Sequence, residues 1–326
     1  MKRDANDAVR ELGPEGAARE FDAKLAASPE LADVPPPDPP PGALLTPGDL
    51  FDDPTFWRAS EPITSTYHAL DAMLAGGWRR RYMYALLAAH KSFKSTLLQN
   101  IARRSALNGV PVLHVSAEEP PEVAVKRMTA ASAHVDYLPL IDGRVHPADV
   151  ARVRDAVRLL RGAPLHLTGR RGLDDVEELA RIWAARYAGA LLIVDHLSIL
   201  TVPDTASEYE AVTAASERLR ALAAALNIAI LVAVQANRSG AAKPDGPDEN
   251  DVRASGRVVQ DAAALLILKR PAVSDGQALL GVRQKFHRFG PGDDEADLEL
   301  FAAQARVESI RGVTPWARRA CGPSRK

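Results

Sequence analysis

The sequence is poor in cysteine, in aromatic residues and in long apolar runs, and these scarcities exclude several classes of protein. Its 326 residues include one cysteine, Cys321, which excludes an internal disulfide and a zinc ribbon. The longest apolar runs, Ala190–Leu200 and Ile228–Val234, are too short to span a bilayer and are typical of buried strands. The polar N-terminal residues have no apolar signal-peptide core. We therefore expect a cytoplasmic protein that makes no contact with a membrane.

An excess of one charge is also missing. The 41 basic and 42 acidic residues leave a net charge of −1, which excludes a uniformly basic nucleic-acid coat. Any contact with nucleic acid must therefore come from local patches. Apolar residues make up 46% of the chain, enough for a sizeable core in one large α/β domain or two small ones.

Composition divides the chain into three parts. Residues 1–49 are predicted to form an N-terminal arm, disordered or partly helical, with a proline-rich linker. The linker PPPDPPPG favours extended polyproline II and excludes helix and sheet. Residues 50–310 are predicted to be the folded domain, and residues 311–326 a basic C-terminal tail without acidic residues.

Strand and helix patterns alternate through the folded part. Helical spacing predicts helices at Ser95–Leu107, Glu122–Ala133, Leu173–Tyr187 and Ser207–Leu226. Apolar runs predict strands at Tyr82–Ala89, Pro111–Ser116, Pro164–Leu167, Ala190–Asp195, Ile228–Val234, Ala263–Leu268, Leu279–Gln284 and Leu298–Phe301. This alternation predicts an α/β fold with a mostly parallel, twisted sheet covered by helices on both faces, and antiparallel pairing of the final strands at one edge. Ser239–Asn250 is rich in Gly, Pro, Asp and Ala and predicts a mobile loop.

A phosphate-loop pattern follows the first strand. The pattern G-x-x-x-x-G-K-[ST] is matched at Lys94 and Ser95, whereas Ala88 and Phe93 replace its glycines. In such a loop, backbone N–H groups and a helix N-terminus hold phosphates, the lysine reaches the terminal phosphates, and the hydroxyl binds magnesium. Phe93 must either avoid a positive φ or bear strain. The alternative is an ordinary strand–turn–helix with an unrelated lysine. The predicted nucleotide-binding residues are Ala88, Ala89, His90, Lys91, Ser92, Phe93, Lys94, Ser95 and Thr96.

Two predicted strands lead into acidic residues. Asp195 ends the strand LLIVD about 100 residues after the loop, where it would hold magnesium through water or cap the next turn. Glu118 follows the second strand, where it would polarise the water that attacks the γ-phosphate or favour a helix N-terminus. Glu119 and Glu122 fit that helix-terminal role better than Glu118 does.

Two later polar segments extend the series. Gln235 ends a strand and is expected either to sense the γ-phosphate or to be an ordinary polar strand terminus. The basic segment RQKFHRFGP contains Lys285 and Arg288. An arginine there would reach a neighbour's nucleotide, or it would belong to a solvated basic hairpin.

In this order the motifs resemble the RecA-like core of hexameric replicative helicases of the DnaB and RepA type, over roughly residues 60–310. The segment HRFGP is also similar to one in RadA-type recombination ATPases. The resemblance implies a RecA-like P-loop NTPase fold for residues 50–310, with ATP and Mg²⁺ as cofactors. The sequence departs from the family pattern at Ala88 and Phe93, which replace the two glycines of the phosphate loop. We expect this departure to affect the rate of turnover rather than nucleotide binding. The segments that carry it are ITSTYHALDAMLAGG, VLHVSAEEPPEVAVKR, LLIVDHLSIL, VAVQANR and RASGRVVQD.

The resemblance also implies individual roles. Lys94 and Glu118 would be catalytic, with Glu118 as the base, and Ser95 and Asp195 would hold the metal. Gln235 would couple the nucleotide to DNA. Arg288 would be an arginine finger, with Lys285 beside the nucleotide.

Three functions stay open at this point. The first is a ring-forming helicase or translocase on single-stranded DNA, for a plasmid, phage or integrated element. The second is a RecA-like ATPase that loads, remodels or regulates without unwinding, and the third is a nucleotide-binding module that has lost turnover. The implied partners are further copies in a hexameric ring, single-stranded DNA and a replication initiator or loader protein. Candidate DNA-facing residues are Arg238, Lys243, Arg253 and Arg257.

Overall fold

The computed structural model describes residues 61–243, 246–253, 256–290 and 292–310. The predicted N-terminal arm, its proline-rich linker and the predicted basic tail lie outside the described residues. No helix within the described ranges is long and apolar enough to cross a membrane.

The described residues form one ten-stranded sheet. Its strands are β1 Met83–Ala88, β2 Val112–Ser116, β3 Leu165–Thr168, β4 Leu191–Asp195, β5 Ala229–Gln235, β6 Ala264–Leu268, β7 Ala272–Ser274, β8 Gln277–His287, β9 Asp294–Phe301 and β10 Arg306–Ser309. Their order is β10-β9-β8-β6-β1-β5-β4-β2-β3, and β7 pairs with β8. The strands from β6 to β3 pair in parallel, whereas β8, β9 and β10 extend the sheet antiparallel. The predicted α/β class and the antiparallel edge are therefore confirmed.

Helices cover both faces of the sheet. They are α1 His68–Met73, α2 Lys94–Leu107, α3 Pro121–Ala133, α4 Tyr137–Ile141, α5 Val150–Gly162, α6 Leu173–Arg186, α7 Glu208–Leu226, α8 Arg238–Ala242 and α9 Arg257–Asp261. Alternate side chains of β1 point to opposite faces: Leu86 packs in one apolar cluster with α2, and Leu87 in a second cluster with α6 and α7. Two apolar layers thus enclose strands that are buried on both sides.

The parallel strands bring their carboxyl ends to one edge of the sheet. β1 lies between β5 and β6, and Ala88 pairs in register with Gln235. On the other side of β5, Asp195 of β4 pairs with Ser116 of β2. Residues distant in the sequence therefore meet beside the loop that follows β1, as expected for an open parallel sheet.

The structure corrects the prediction of a loop over Ser239–Asn250, part of which is helical, whereas the mobility of this segment stays a prediction. Most of helix α8 lies in this segment. The Asn237 side chain stabilises the start of the helix, because it accepts a hydrogen bond from the Gly240 N–H. A 3₁₀ turn follows at Glu249–Asp251. Lys243 Nζ lies 2.6 Å from Asp248 Oδ2 and 2.5 Å from Asp251 Oδ2, so ion pairs join the end of helix α8 to the 3₁₀ turn.

Several elements were not predicted from the sequence. Helix α5 was missed although its apolar residues Val150, Val153, Ala156, Val157 and Leu160 recur at helical spacing; only Ala156 is buried. Strands β8 and β9 extend beyond the predicted Leu279–Gln284 and Leu298–Phe301, because alternate residues of these strands are exposed or half-buried. Helices α1 and α4 and strands β7 and β10 were missed because they are short.

Candidate functional site

A cleft of about 520 Å³ opens at the carboxyl edge of the parallel strands. Its volume lies in the usual range for small-molecule sites, about 300–1,000 Å³. Most of the residues predicted to bind nucleotide meet here, together with residues from the segment after β2, from α3, α4 and β5, and from the turn between β9 and β10. The wall is formed by Ala89, His90, Lys91, Ser92, Phe93, Lys94, Ser95, Thr96, Glu118, Glu119, Arg127, Tyr137, Gln235, Ala302, Ala303 and Ala305.

The loop after β1 adopts a left-handed backbone without glycine. Phe93 has φ +62° and Lys91 has φ +60°. Such a conformation costs a non-glycine residue about 1–2 kcal/mol. The sequence had left open whether Phe93 avoids a positive φ; it does not, and its half-buried ring packs against the core beneath the loop. The Ser92 hydroxyl donates to the Ala89 carbonyl at 2.6 Å and closes the turn.

Helix α2 begins at Lys94, directly after Phe93. The first N–H groups of a helix have no partner within the helix, and the helix dipole makes this end attractive to anions. Ser95 and Thr96 lie in the first turn and also line the cleft. The helix start and the turn before it therefore form a site suited to phosphate groups.

Lys94 is held between two carboxylates. Its Nζ lies 3.2 Å from Asp195 Oδ1 and 3.6 Å from Glu118 Oε2. The Asp195 side chain is 5% exposed, whereas that of Glu118 is 38% exposed and faces the cleft. Phosphate groups entering the cleft would meet an ammonium already placed at its inner end.

Asp195 and Ser95 are suited to a magnesium ion. Mg²⁺ prefers hard oxygen ligands and usually takes one or two from the protein, with the rest supplied by water and substrate phosphates. Asp195 is buried, yet its Oδ1 accepts no hydrogen bond within the described part of the chain, and the Lys94 ammonium lies 3.2 Å from it. Ser95 supplies a hydroxyl in the first turn of α2. This donor set fits an ion held by few protein ligands.

His196, which was not among the predicted site residues, lies beside Glu118. Its Nε2 is 3.8 Å from Glu118 Oε2, and its Nδ1 is 2.9 Å from the Ser198 hydroxyl. Burial and the nearby Lys94 ammonium lower the pKa of His196 to about 4. The imidazole is therefore neutral at neutral pH. The sequence signal that could have identified His196 as a site residue is its position directly after Asp195.

Gln235 reaches the same cleft from β5. Its Nε2 lies 3.5 Å from Nδ1 of His90 in the phosphate loop. The backbone beyond Gln235 is held to β1, since the Ala236 N–H donates to the Ala88 carbonyl at 2.9 Å. Ala88 itself is buried at the end of β1 and is absent from the cleft wall that the described residues form.

Lys285 and Arg288 do not reach this cleft from within the same chain. Lys285 lies on β8, where its Nζ is 3.5 Å from Glu249 Oε1. Arg288 follows β8 directly, and its backbone N–H donates to the Ala263 carbonyl at 2.7 Å. The Arg288 side chain is exposed. Both side chains thus lie apart from the residues around Lys94, and a nucleotide contact from them would have to be made to another subunit.

Three of the four candidate DNA-facing cations are paired with acids of the same chain. Lys243 is bound to Asp248 and Asp251. Arg253 Nε lies 3.1 Å from Glu208 Oε1. Arg257 contacts Glu217 and Asp261. The fourth cation, Arg238, is exposed and opens helix α8.

Known proteins resemble this chain in sequence and in fold. Residues 62–300 match the family described as the DnaB-like helicase C terminal domain. A replicative DNA helicase DnaB from Treponema pallidum (strain Nichols) is 26% identical over 216 residues, covering 65% of this chain and 49% of that protein. One from Rhodothermus marinus is 29% identical over 218 residues, 63% of this chain and 22% of that protein. The chain thus spans about half, or less, of the length of these relatives.

Two solved structures share the fold. The ATPase domain of G40P superposes with a TM-score of 0.70 at 20% identity, covering 77% of this chain and 93% of that chain. A DnaB-like replicative helicase, described with its interactions with primase, superposes with a TM-score of 0.72 at 18% identity, covering 94% of this chain and 74% of that one. These likenesses confirm the predicted RecA-like fold.

Proposed function

The chain belongs to the family of DnaB-like helicase C-terminal domains, and on this basis we propose that it is an ATP-dependent helicase or translocase acting on single-stranded DNA. Its proposed setting is the replication of a plasmid, phage or integrated element. The observation that carries the proposal is the convergence of Lys94, Glu118 and Asp195 at the start of helix α2. An ammonium, an accessible carboxylate and a buried carboxylate at a helix N-terminus are the groups that phosphoryl transfer requires.

Lys94 is proposed to bind the β- and γ-phosphates of ATP. In the structure its ammonium is shared between Asp195 and Glu118. Phosphate oxygens would replace the Glu118 contact, which is the longer of the two. The N–H groups at the start of α2 would hold the same phosphates, because these donors are otherwise free of helix partners.

Glu118 is proposed as the general base. Its carboxylate lines the cleft and would take the proton from the water that attacks the γ-phosphate. His196 Nε2 lies 3.8 Å from this carboxylate and, being neutral, adds no positive charge beside it. Gln235 ends strand β5, which lies between β1 and β4. It is proposed to sense the γ-phosphate and to couple the presence of this phosphate to the loop that follows β5.

Ser95 and Asp195 are proposed to hold Mg²⁺, with Asp195 acting through water. The bound ion would supply positive charge to the β- and γ-phosphate oxygens. The arrangement is supported by the buried Asp195 oxygen, which accepts no hydrogen bond within the described residues and lies 3.2 Å from the Lys94 ammonium.

The active form is proposed to be a hexameric ring. Arg288 is exposed and lies apart from the chain's own cleft, which supports a role as a finger reaching the nucleotide of an adjacent subunit. Lys285 is proposed to approach the same nucleotide after releasing Glu249. A replication initiator or loader protein is proposed as the partner that places the ring on DNA, and the cytoplasm as its location.

A second function is favoured by a separate observation. The ion pairs of Lys243, Arg253 and Arg257 neutralise much of the basic charge beyond Gln235. A surface with little free positive charge suits a RecA- or RadA-like ATPase that loads or remodels other proteins without unwinding DNA.

ATP hydrolysis with and without DNA tests the proposal. We expect turnover to rise when a single-stranded oligonucleotide is added, and a forked duplex to be unwound with ATP. A duplex without single-stranded ends and the Lys94→Ala variant are the controls. Turnover that ignores DNA would favour the loading or remodelling ATPase. ATP binding without turnover would mean that the chain is a nucleotide-binding module.

A further inference from the structure

The side chain of Arg288 has no partner in the part of the chain that the structure describes. It is exposed, and its guanidinium makes no ion pair or hydrogen bond there. The direction in which it projects therefore depends on how its backbone is held. One anchor is the Arg288 N–H, which donates to the Ala263 carbonyl at 2.7 Å. A second anchor is the aromatic ring of the next residue, Phe289.

Three groups hold the half-buried ring of Phe289. The Tyr82 ring, directly before β1, meets it edge-on, with 4.7 Å between the two ring centroids. The ring of His287, the last residue of β8, also meets it edge-on at 5.5 Å. The Arg79 guanidinium lies over it, with Cζ 5.1 Å from the ring centroid. Edge-to-face ring pairs and a cation over a ring face are both favourable, so the ring is fixed on several sides.

Two of these groups are attached to the central strands. The Arg79 N–H donates to the hydroxyl of Tyr84, a buried residue of β1, at 2.7 Å. The Tyr82 carbonyl accepts a hydrogen bond from the Ile230 N–H of β5 at 3.1 Å. Both contacts lie at the amino ends of β1 and β5, the edge of the sheet opposite the cleft. The Phe289 ring thus connects the turn after β8 to strands whose carboxyl ends form the cleft.

We infer that Phe289 is a positioning residue for Arg288. Tyr82 and Arg79 complete the platform on which its ring rests. The inference rests on the proposed function, because it concerns an arginine that reaches the nucleotide of an adjacent subunit. A guanidinium stabilises transition-state charge only where it is correctly placed, and a misplacement of about 1 Å costs up to about a hundredfold in rate. A ring that only supported the fold would act independently of Arg288.

ATP hydrolysis by the full chain, with single-stranded DNA present, tests the inference in Phe289→Ala. We expect turnover to fall about tenfold or more, because the Arg288 backbone loses its aromatic anchor. ATP affinity, measured by titration with magnesium, should stay as in the wild type, since the ring lies at the edge of the sheet opposite the cleft. Phe289→Tyr keeps the ring and should keep the turnover. If Phe289→Ala does not fold, Phe289→Leu takes its place, because it keeps an apolar side chain but loses the edge-on ring contacts.

A double variant separates positioning from support of the fold. If the ring acts only through Arg288, Phe289→Ala should cost nothing further in an Arg288→Ala chain, as single-turnover hydrolysis would show. Mixing Phe289→Ala chains with Glu118→Gln chains should restore part of the activity, because some interfaces then join an intact Arg288 turn to an intact cleft. Mixing them with Arg288→Ala chains should restore none, because every interface then carries a defect in that turn.

Tyr187→Ala is the matched control. The Tyr187 ring is also half-buried and lies beside two other rings, those of His166 and Trp183. Arg186 Cζ lies 5.5 Å from its centroid. This cluster is at the end of helix α6, so the variant should lose comparable packing and keep its turnover.

Two outcomes would overturn the inference while leaving the proposed function intact. One is wild-type turnover in Phe289→Ala when Arg288→Ala is slowed as expected. The other is an equal fold loss from Phe289→Ala with and without the Arg288 guanidinium, which would mean that the ring only supports the fold. Wild-type turnover in Arg288→Ala would overturn the proposed finger, and the inference with it.

Discussion

The Lys94 ammonium lies 3.2 Å from Asp195 Oδ1, so the phosphate-loop lysine and the carboxylate at the end of β4 form an ion pair. About 100 residues separate the two in the sequence. Their contact depends on β1 and β4 flanking the same strand, β5, in parallel. Because the Asp195 side chain is buried, Lys94 is held at the inner end of the cleft and does not extend into solvent.

Replacing Lys94 with alanine should abolish the ATPase. The change removes the cation nearest to the proposed phosphate site and leaves Asp195 and Glu118 facing each other without it. We expect turnover to fall by about a hundredfold or more, the scale of losing a charge-stabilising group, and ATP binding to weaken. Steady-state hydrolysis and nucleotide titration would measure both effects. Lys269→Ala, whose ammonium pairs with Glu295, is the control. Undiminished turnover in Lys94→Ala would contradict the phosphate-loop assignment.

Glu118 and Glu119 are adjacent but should differ in effect. Glu118→Gln should keep ATP bound and slow hydrolysis by at least about a hundredfold, because the proposed base is lost. Glu119→Gln should keep kcat, because the Glu119 carboxylate accepts a hydrogen bond from Arg127 and so has a partner other than the attacking water. Single-turnover hydrolysis and ATP binding would be measured for both. The opposite pattern would place the catalytic carboxylate one residue later.

Arg288 should act on a neighbouring subunit. Arg288→Ala should bind ATP normally, yet hydrolysis should fall by ~10³-fold or more, the scale for arginine fingers. Mixing Arg288→Ala chains with Glu118→Gln chains should restore part of the activity, because some interfaces then combine an intact finger with an intact base. ATPase rates across mixing ratios, with single-stranded DNA present, measure this. Rates that follow the average of the two parents would argue against a shared active site.

The buried His114 should make the fold sensitive to mild acid. Burial lowers its pKa from 6.5 to about 4, against the opposing charge of Asp195. Between these values the unfolded chain binds the proton and the folded chain does not, so stability falls as pH decreases from 6.5 to 4. This group alone should cost about 2 kcal/mol between pH 7.5 and pH 5.

Urea unfolding of the wild type and of His114→Leu at both pH values would measure that cost. The other histidines are present in both proteins, so the difference isolates His114. The variant should lose about 2 kcal/mol less than the wild type does on acidification. Equal losses in the two proteins would show that His114 does not carry the effect.

Removing residues 1–49 should leave a folded core that binds ATP. The segment is polar and ends in the proline-rich linker, so few buried contacts are expected from it. Thermal unfolding and ATP titration of residues 50–326 would test this. A large fall in the unfolding temperature would mean that the arm packs on the core or on a neighbouring subunit.

The elements with a strong local signal were predicted correctly. Buried parallel strands such as Leu191–Asp195 are continuous apolar runs, and helix α7 has a Ser207 cap that accepts a hydrogen bond from the Glu210 N–H. Helix α5 was not predicted, although Val150, Val153, Ala156, Val157 and Leu160 recur at helical spacing. Only Ala156 of these residues is buried, so the packing of this helix was visible only in the structure.

The sequence alone determined the order of strands and helices and the residues at the strand ends, because both depend on local periodicity and on a general property of parallel sheets. Only the tertiary structure decided the neighbours of each strand, the left-handed backbone of Phe93 and the pairing of Lys243 with Asp248 and Asp251. It also decided that Arg127 and Tyr137 share one end of the cleft. These features depend on contacts between different elements of the fold. The free energies of such contacts cannot be read from the pattern of residues within one element.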